Sequence, residues 1–197
     1  MKTDRLEAFS DGVLAVIITV MVLELKVPDG HTLHDAVTTT GHSLLTYLLS
    51  FIYIGIYWNN HHHMFQLIGR VDGKTLWANL HLLFWLSLVP FTTAWMDESH
   101  FARTPVMTYG VNLLTAAVAY FILQLAATAT EGPDSPLRRA LGADMKGKLS
   151  PVLYLAGIAA AAVNVWVGMG LFTVVAIIWL VPDTRMERFL AQNNPTE

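Results

Sequence analysis

The sequence predicts an all-α membrane protein with six transmembrane helices in a single domain covering residues 1–197. Three observations carry that expectation. Apolar residues make up 54% of the chain against 14% charged, and the mean hydropathy is +0.47. The apolar residues gather into stretches at about residues 5–26, 43–64, 76–96, 105–129, 150–165 and 167–182, bounded by polar or Pro/Gly-containing segments. With the N-terminus in the cytoplasm, six spans put Lys2, Arg5, Arg70, Lys74, Arg138, Arg139, Lys146, Lys148, Arg185 and Arg188 inside and leave only Lys26 and Arg103 outside. Basic residues concentrate in this way on the cytoplasmic side of membrane proteins.

The first span runs from Arg5 to Lys26 and makes a helix of roughly 33 Å, enough for a hydrocarbon core of about 30 Å. Its uncharged part, Gly12 to Leu23, is short and leaves Asp11 and Glu24 in or near the membrane. Such charges face protein or water rather than lipid, which places this helix inside a bundle. Acidic residues at Asp4, Glu7 and Asp11, and the lack of a small-residue cleavage site, point to a permanent helix rather than a signal peptide. The second and third spans follow, with Trp58, Trp77 and Trp95 near their ends as interface aromatics. After the fourth span, Thr130 to Ser150 mixes Gly, Pro and charges and reads as an inner linker. The last two spans are split by a turn expected near Val165 to Gly168, because merging them would move Arg185 and Arg188 outside.

Composition narrows the chemistry. The absence of cysteine excludes disulfides, thiolate catalysis and thiolate metal sites. No stretch is left for a large soluble domain, and the net charge of −3 says little about partners. The spans show no internal repeat of the kind that builds an inverted-repeat transporter. Gly157 and Ala159 to Ala162 read as small residues for close helix packing. Thr108-Tyr109-Gly110-Val111 has the wrong order for a carbonyl ion filter and lies within a continuous apolar span.

On a helical wheel, Gly12, Val16, Thr19, Val20 and Leu23 fall in one stripe about 100° wide, extended toward the inner end by Arg5. Ser10 and Asp11 point away from it. Facing a symmetry axis, the stripe would form a hydrophobic constriction with Thr19 as its one hydroxyl and Glu24 at the outer mouth; facing a neighbour, it would be ordinary helix packing. Other polar residues sit at one depth, and a buried Arg or Asp needs partners. An inner polar network of Arg5, Ser10, Asp11, Trp58, His81 and one or two of His61, His62 and His63 is therefore expected, with a structural role. The histidines also fit pH sensing. Three successive helical residues splay about 100° apart and cannot all hold one metal ion.

Arg5, Phe9, Ser10 and Asp11, followed by Gly12, the Val16 to Leu23 stripe and Leu23-Glu24-Leu25, resemble the prokaryotic members of the lysosomal potassium channel family known as transmembrane protein 175. The resemblance covers essentially the whole chain, including the Trp58 to His63 segment. It implies a potassium-selective cation channel rather than an enzyme, a homotetramer in the lipid bilayer of the inner (plasma) membrane, with potassium as permeant ion. Neither cofactor nor nucleic-acid partner is implied. The first helix of each subunit would line a central pore without a carbonyl filter. The family's narrowest ring, usually isoleucine or leucine, falls on Val16, with Thr19, Val20 and Leu23 further outward. A hydrogen-bonded cluster is implied for Arg5, Ser10, Asp11, Trp58 and the His61 to His63 segment. A transporter or proton pathway using Asp11, Glu24 and histidines, and a redox or metal enzyme using the histidines, are the alternatives.

Overall fold

The computed structural model describes residues 3–132, 135–141 and 145–180. Lys2, Arg185 and Arg188, which entered the charge argument, and the end of the sixth expected span lie outside the described residues. Among the described residues the protein is all helix: α1 Thr3–Leu23, α2 Leu33–Gln66, α3 Gly73–Ser87, α4 Val89–Glu98, α5 Arg103–Glu131, α6 Pro136–Leu141, α7 Met145–Ala161 and α8 Val165–Leu180. By length and composition three segments can cross a membrane, Thr3–Leu23, Gly73–Glu98 and Arg103–Glu131, while Val165–Leu180 is apolar but shorter.

Local chemistry sets the helix ends. Thr32 caps α2 in a reciprocal box: its hydroxyl accepts from the Asp35 amide at 3.2 Å, and the Asp35 carboxylate accepts from the Thr32 amide at 3.0 Å. Asp72 caps α3, accepting from the Thr75 amide at 2.8 Å and the Thr75 hydroxyl at 2.9 Å. The same two bonds hold the Asp72 carboxyl below the usual carboxylate range, and the Thr32 hydroxyl and amide do so for Asp35. A depressed folded-state pKa stabilises above the unfolded value of about 3.9 and loses that contribution as pH falls through the folded value. Thermal stability is therefore expected to drop on acidification below about pH 4, with a smaller drop in Asp72→Asn; equal drops would remove Asp72 as a contributor.

Two expected boundaries move. The third span is interrupted at Leu88, because Pro90 has no amide to continue the ladder and sits in the first turn of a new helix, α4. The turn between the last two helices falls at residues 162–164 rather than at Val165 to Gly168. There Asn164 Oδ1 accepts from the Trp166 amide at 2.9 Å, which fixes the start of α8 one turn earlier. The Thr130 to Ser150 linker contains α6 and the first residues of α7, and Leu137 and Ala140 of α6 are buried.

α2 and α5 are the shared walls of two apolar cores. One core joins α1, α3 and α6 to α2 and α5 through residues such as Leu14, Met64, Leu82 and Leu123; the other joins α4, α7 and α8 through Met96, Tyr109, Tyr154 and Phe172. At the end where α1 begins, Thr3 donates to the Ile68 carbonyl, and Glu131 closes α5 onto the Gly69 and Arg70 amides. At the opposite end Ser43 donates to Asp97, and Lys26 stands 3.8 Å from Glu98.

The second core is tight because three glycines meet there. A Cβ on Gly168 would lie 2.6 Å from the Ala161 Cβ and 2.8 Å from the Gly157 carbonyl oxygen, and Gly110 and Gly157 face the Phe172 ring. Backbone cannot move aside as a side chain can. Gly168→Ala is expected to lower stability by about 1–3 kcal/mol through overpacking, whereas Gly170→Ala, with open space around it, leaves the melting temperature unchanged; equal melting temperatures in both variants would refute the close approach of α7 and α8.

Candidate pore helix and its polar anchor

The burial of α1 follows its helical period. Leu6, Ser10, Leu14, Ile17 and Met21 are buried against α2, α3 and α4, at spacings of three or four residues. The opposite face carries the expected stripe: Val16 is 59% exposed, Val20 39% and Leu23 81%, and nothing lies within 4 Å of a Cβ placed on Gly12. Thr19 is exposed, and its hydroxyl donates to the Val16 carbonyl at 2.8 Å, turning its lone pairs outward. The stripe borders an open groove of ≈ 970 Å³ between α1 and α4, lined by Phe9, Val16, Val20, Phe91 and Trp95, with Glu24 and Glu98 at its far end. Within one protomer, the five stripe residues thus make no part of the core.

The buried side of α1 is anchored by a polar relay across three helices. The Ser10 hydroxyl donates to the Leu6 carbonyl at 2.9 Å and accepts from Asn79 Nδ2 at 2.9 Å; Asn79 Oδ1 lies 2.8 Å from His61 Nε2. Ser10 and Asn79 are fully buried and His61 nearly so. The order of donors fixes the protons: with the Asn79 amide nitrogen giving to Ser10, its carbonyl oxygen accepts, so His61 carries its proton on Nε2. His61 Nδ1 has no partner among the described residues, and the ring stacks on Phe65 at 4.3 Å.

Two further bonds tie α1 to α2. Trp58 Nε1 donates to Asp11 Oδ1 at 3.0 Å, and His62 Nδ1 lies 2.7 Å from Glu7 Oε1, with Gln66 on its other ring nitrogen. The three adjacent histidines therefore diverge: His61 turns to Asn79 and His62 to Glu7, while the His63 ring lies 6.0 Å from that of His62. Among the described residues no three His, Cys, Asp or Glu side chains converge as metal ligands.

Of the expected network, Ser10, Asp11, Trp58, His61 and His62 are held in bonds between helices. Arg5 is exposed and makes no hydrogen bond or ion pair among the described residues, and Phe9 is 51% exposed on the groove. His81 also stands apart: it is exposed and accepts from Trp85 Nε1 at 2.9 Å, one turn along its own helix. The helical period explains this, since Asn79 faces α1 and a residue two positions on points elsewhere. Sequence reasoning missed Asn79 and Glu7. Asn79 is a lone amide in the apolar run of α3, a polar residue that needs a partner when buried, and Glu7 stands four residues before Asp11 on the same helix.

Comparison with known proteins bears on the family of the chain. Residues 5–90 match the profile of the family described as endosomal/lysosomal potassium channel TMEM175. A protein of Chryseobacterium sp. (strain P1-3) named as a potassium channel is 50% identical over 98% of this chain and 100% of its own length. Another so named, from Chamaesiphon minutus, is 35% identical over 89% of this chain and 92% of its own. A crystal structure described as a lysosomal potassium-selective channel TMEM175 homolog from Chamaesiphon minutus aligns with a TM-score of 0.77 at 34% identity, over 92% of this chain and 97% of that one. A human protein named as the endosomal/lysosomal proton channel TMEM175 is 30% identical over 53% of this chain, a match that spans 23% of the human protein. The end-to-end similarity to the two bacterial proteins establishes that the chain belongs to the TMEM175 family.

Proposed function

We propose that this chain is a potassium-selective cation channel of the inner (plasma) membrane, assembled as a homotetramer with six spans per subunit and both termini cytoplasmic. The observation that carries the reading is the full-length similarity to a protein named as a potassium channel. The uncovered stripe of α1 supports the assembly: one amphipathic helix cannot enclose a pore, and cyclic association is the economical way to surround one. In this reading, potassium as permeant ion enters from the end where α1 begins and sheds part of its hydration at a ring of four Val16 side chains. It then passes Thr19, Val20 and Leu23 and leaves near Glu24. A narrow apolar ring gates by excluding water, without a carbonyl filter or any cofactor. Ser10, Asp11 and His62 hold the starting end of α1 to α2 and α3, so that opening is a rotation or splaying of α1 above this anchor.

Purified protein in planar bilayers, with potassium on one side and sodium on the other, tests the proposal. A reversal potential shifted toward the potassium equilibrium value is expected. Folded protein that passes neither cation would instead favour coupled transport by the intramembrane acids and histidines. The human relative's name as a proton channel motivates a second arm, in which a pH gradient is imposed in symmetrical potassium and any displacement of the reversal potential reports proton permeation.

A further inference from the structure

On the far side of α2 from α1, a partly open cavity lies among α2, α5, α7 and α8. Several of its polar lining groups already have partners. Tyr120 donates to the Asn60 carbonyl at 3.1 Å, Asn60 Nδ2 to the Ile56 carbonyl at 2.8 Å, and Trp179 Nε1 to the Ser150 hydroxyl at 2.7 Å. Two of the remaining side chains stand out. Tyr57 and Gln124, 8% and 6% exposed, both line the cavity, and neither its hydroxyl nor its side-chain amide has a hydrogen-bond partner among the described residues. Buried polar groups rarely remain unmatched, so these two point to an occupant that gives and accepts hydrogen bonds.

The shape and charge of the cavity define the class of that occupant. Among the described residues no Asp, Glu, Lys, Arg or His lines the cavity itself, and the Lys146 ammonium lies outside it at 6.0 Å from the Trp179 ring centre, so an ionised group inside would have no charge in contact with it. The inner free volume of ≈ 40 Å³ has room for about three waters, enough for a hydroxyl or carbonyl tip. At the rim, Ile56, Ala117 and Phe121 are apolar, and Phe121 is 45% exposed. A chain attached to the tip can therefore leave along an apolar path. We infer that this cavity binds the hydroxyl or ester end of an uncharged, alkyl-chain amphipath entering from the bilayer, with Tyr57 and Gln124 as its hydrogen-bonding groups. The site is separate from the α1 stripe and does not depend on the channel reading.

The test uses full-length protein in liposomes and a photoactivatable diazirine analogue of 1-decanol, with labelled residues mapped by mass spectrometry. Expected are labels on the cavity residues of α2, α5, α7 or α8 that excess 1-decanol removes and decyl sulfate does not. In Tyr57→Phe/Gln124→Leu these labels should fall about tenfold, the equivalent of two neutral hydrogen bonds lost. Labels confined to exposed apolar positions away from the cavity, such as Phe84 and Leu125, would overturn the site. Equal competition by decyl sulfate would overturn the uncharged class, and undiminished cavity labelling in a folded double variant would overturn the roles of Tyr57 and Gln124. Should the double variant fail to fold, the competition map on the unaltered protein decides alone.

Discussion

Val16→Phe is expected to abolish most of the potassium current, and Val16→Ser to raise single-channel conductance severalfold while weakening the preference for potassium over sodium. The direction follows from geometry and hydration. Val16 lies on the uncovered face of α1, next to a threonine whose hydroxyl is turned back onto the Val16 carbonyl, so in a four-fold assembly four copies would narrow the same level of the pore. A larger apolar ring expels water more completely, and a hydroxyl ring admits it. Because Val16 is 59% exposed in the protomer, neither change should move the melting temperature of the subunit fold by much. Unaltered single-channel currents in both variants would remove Val16 from the constriction.

The second large effect is one of stability. Asn79→Leu should destabilise the protein by about 1–3 kcal/mol, read as a lowered unfolding temperature in detergent. The substitution keeps the bulk of the side chain but takes a donor from Ser10 and the acceptor from the His61 Nε2 proton, both of them buried. A group left unsatisfied costs more than the bond it made was worth. Interhelical bonds within membranes are modest, so a loss of only a few tenths of a kcal/mol would mean that another polar group relaxes into the relay. Trp58→Phe is expected to cost less, because Asp11 is only partly buried and stays within reach of water. Reversal of this order would show that the Trp58 bond, not the Ser10–Asn79–His61 relay, is the principal anchor of α1.

Much of this arrangement is readable along the chain. The sequence places Ser10 and Asp11 off the α1 stripe, and the buried set from Leu6 to Met21 agrees, because a regular helix turns each residue by a constant angle whatever surrounds it. The divergence of His61, His62 and His63 follows from the same geometry. The boundaries were harder. Pro90 lies deep in an apolar run, so hydropathy conceals a break that backbone hydrogen bonding requires, and a single asparagine, Asn164, outweighs the neighbouring glycines in setting the last turn. His81 and Asn79 lie two positions apart on α3, and which of them meets Ser10 depends on the rotation of α3 against α1, a quantity absent from either helix alone.

The sequence by itself determined the helical class, the two-faced character of α1 and its family signature, because periodicity, cap residues and the cost of burying charge act locally or in aggregate. Only the tertiary structure decided who pairs with whom: Asn79 between Ser10 and His61, Glu7 with His62, Arg5 without a partner among the described residues, and Tyr57 and Gln124 lining one cavity. Those contacts join residues dozens of positions apart, and their geometry comes from how helices rotate and close on one another as their apolar faces pack, which no segment of the chain encodes alone.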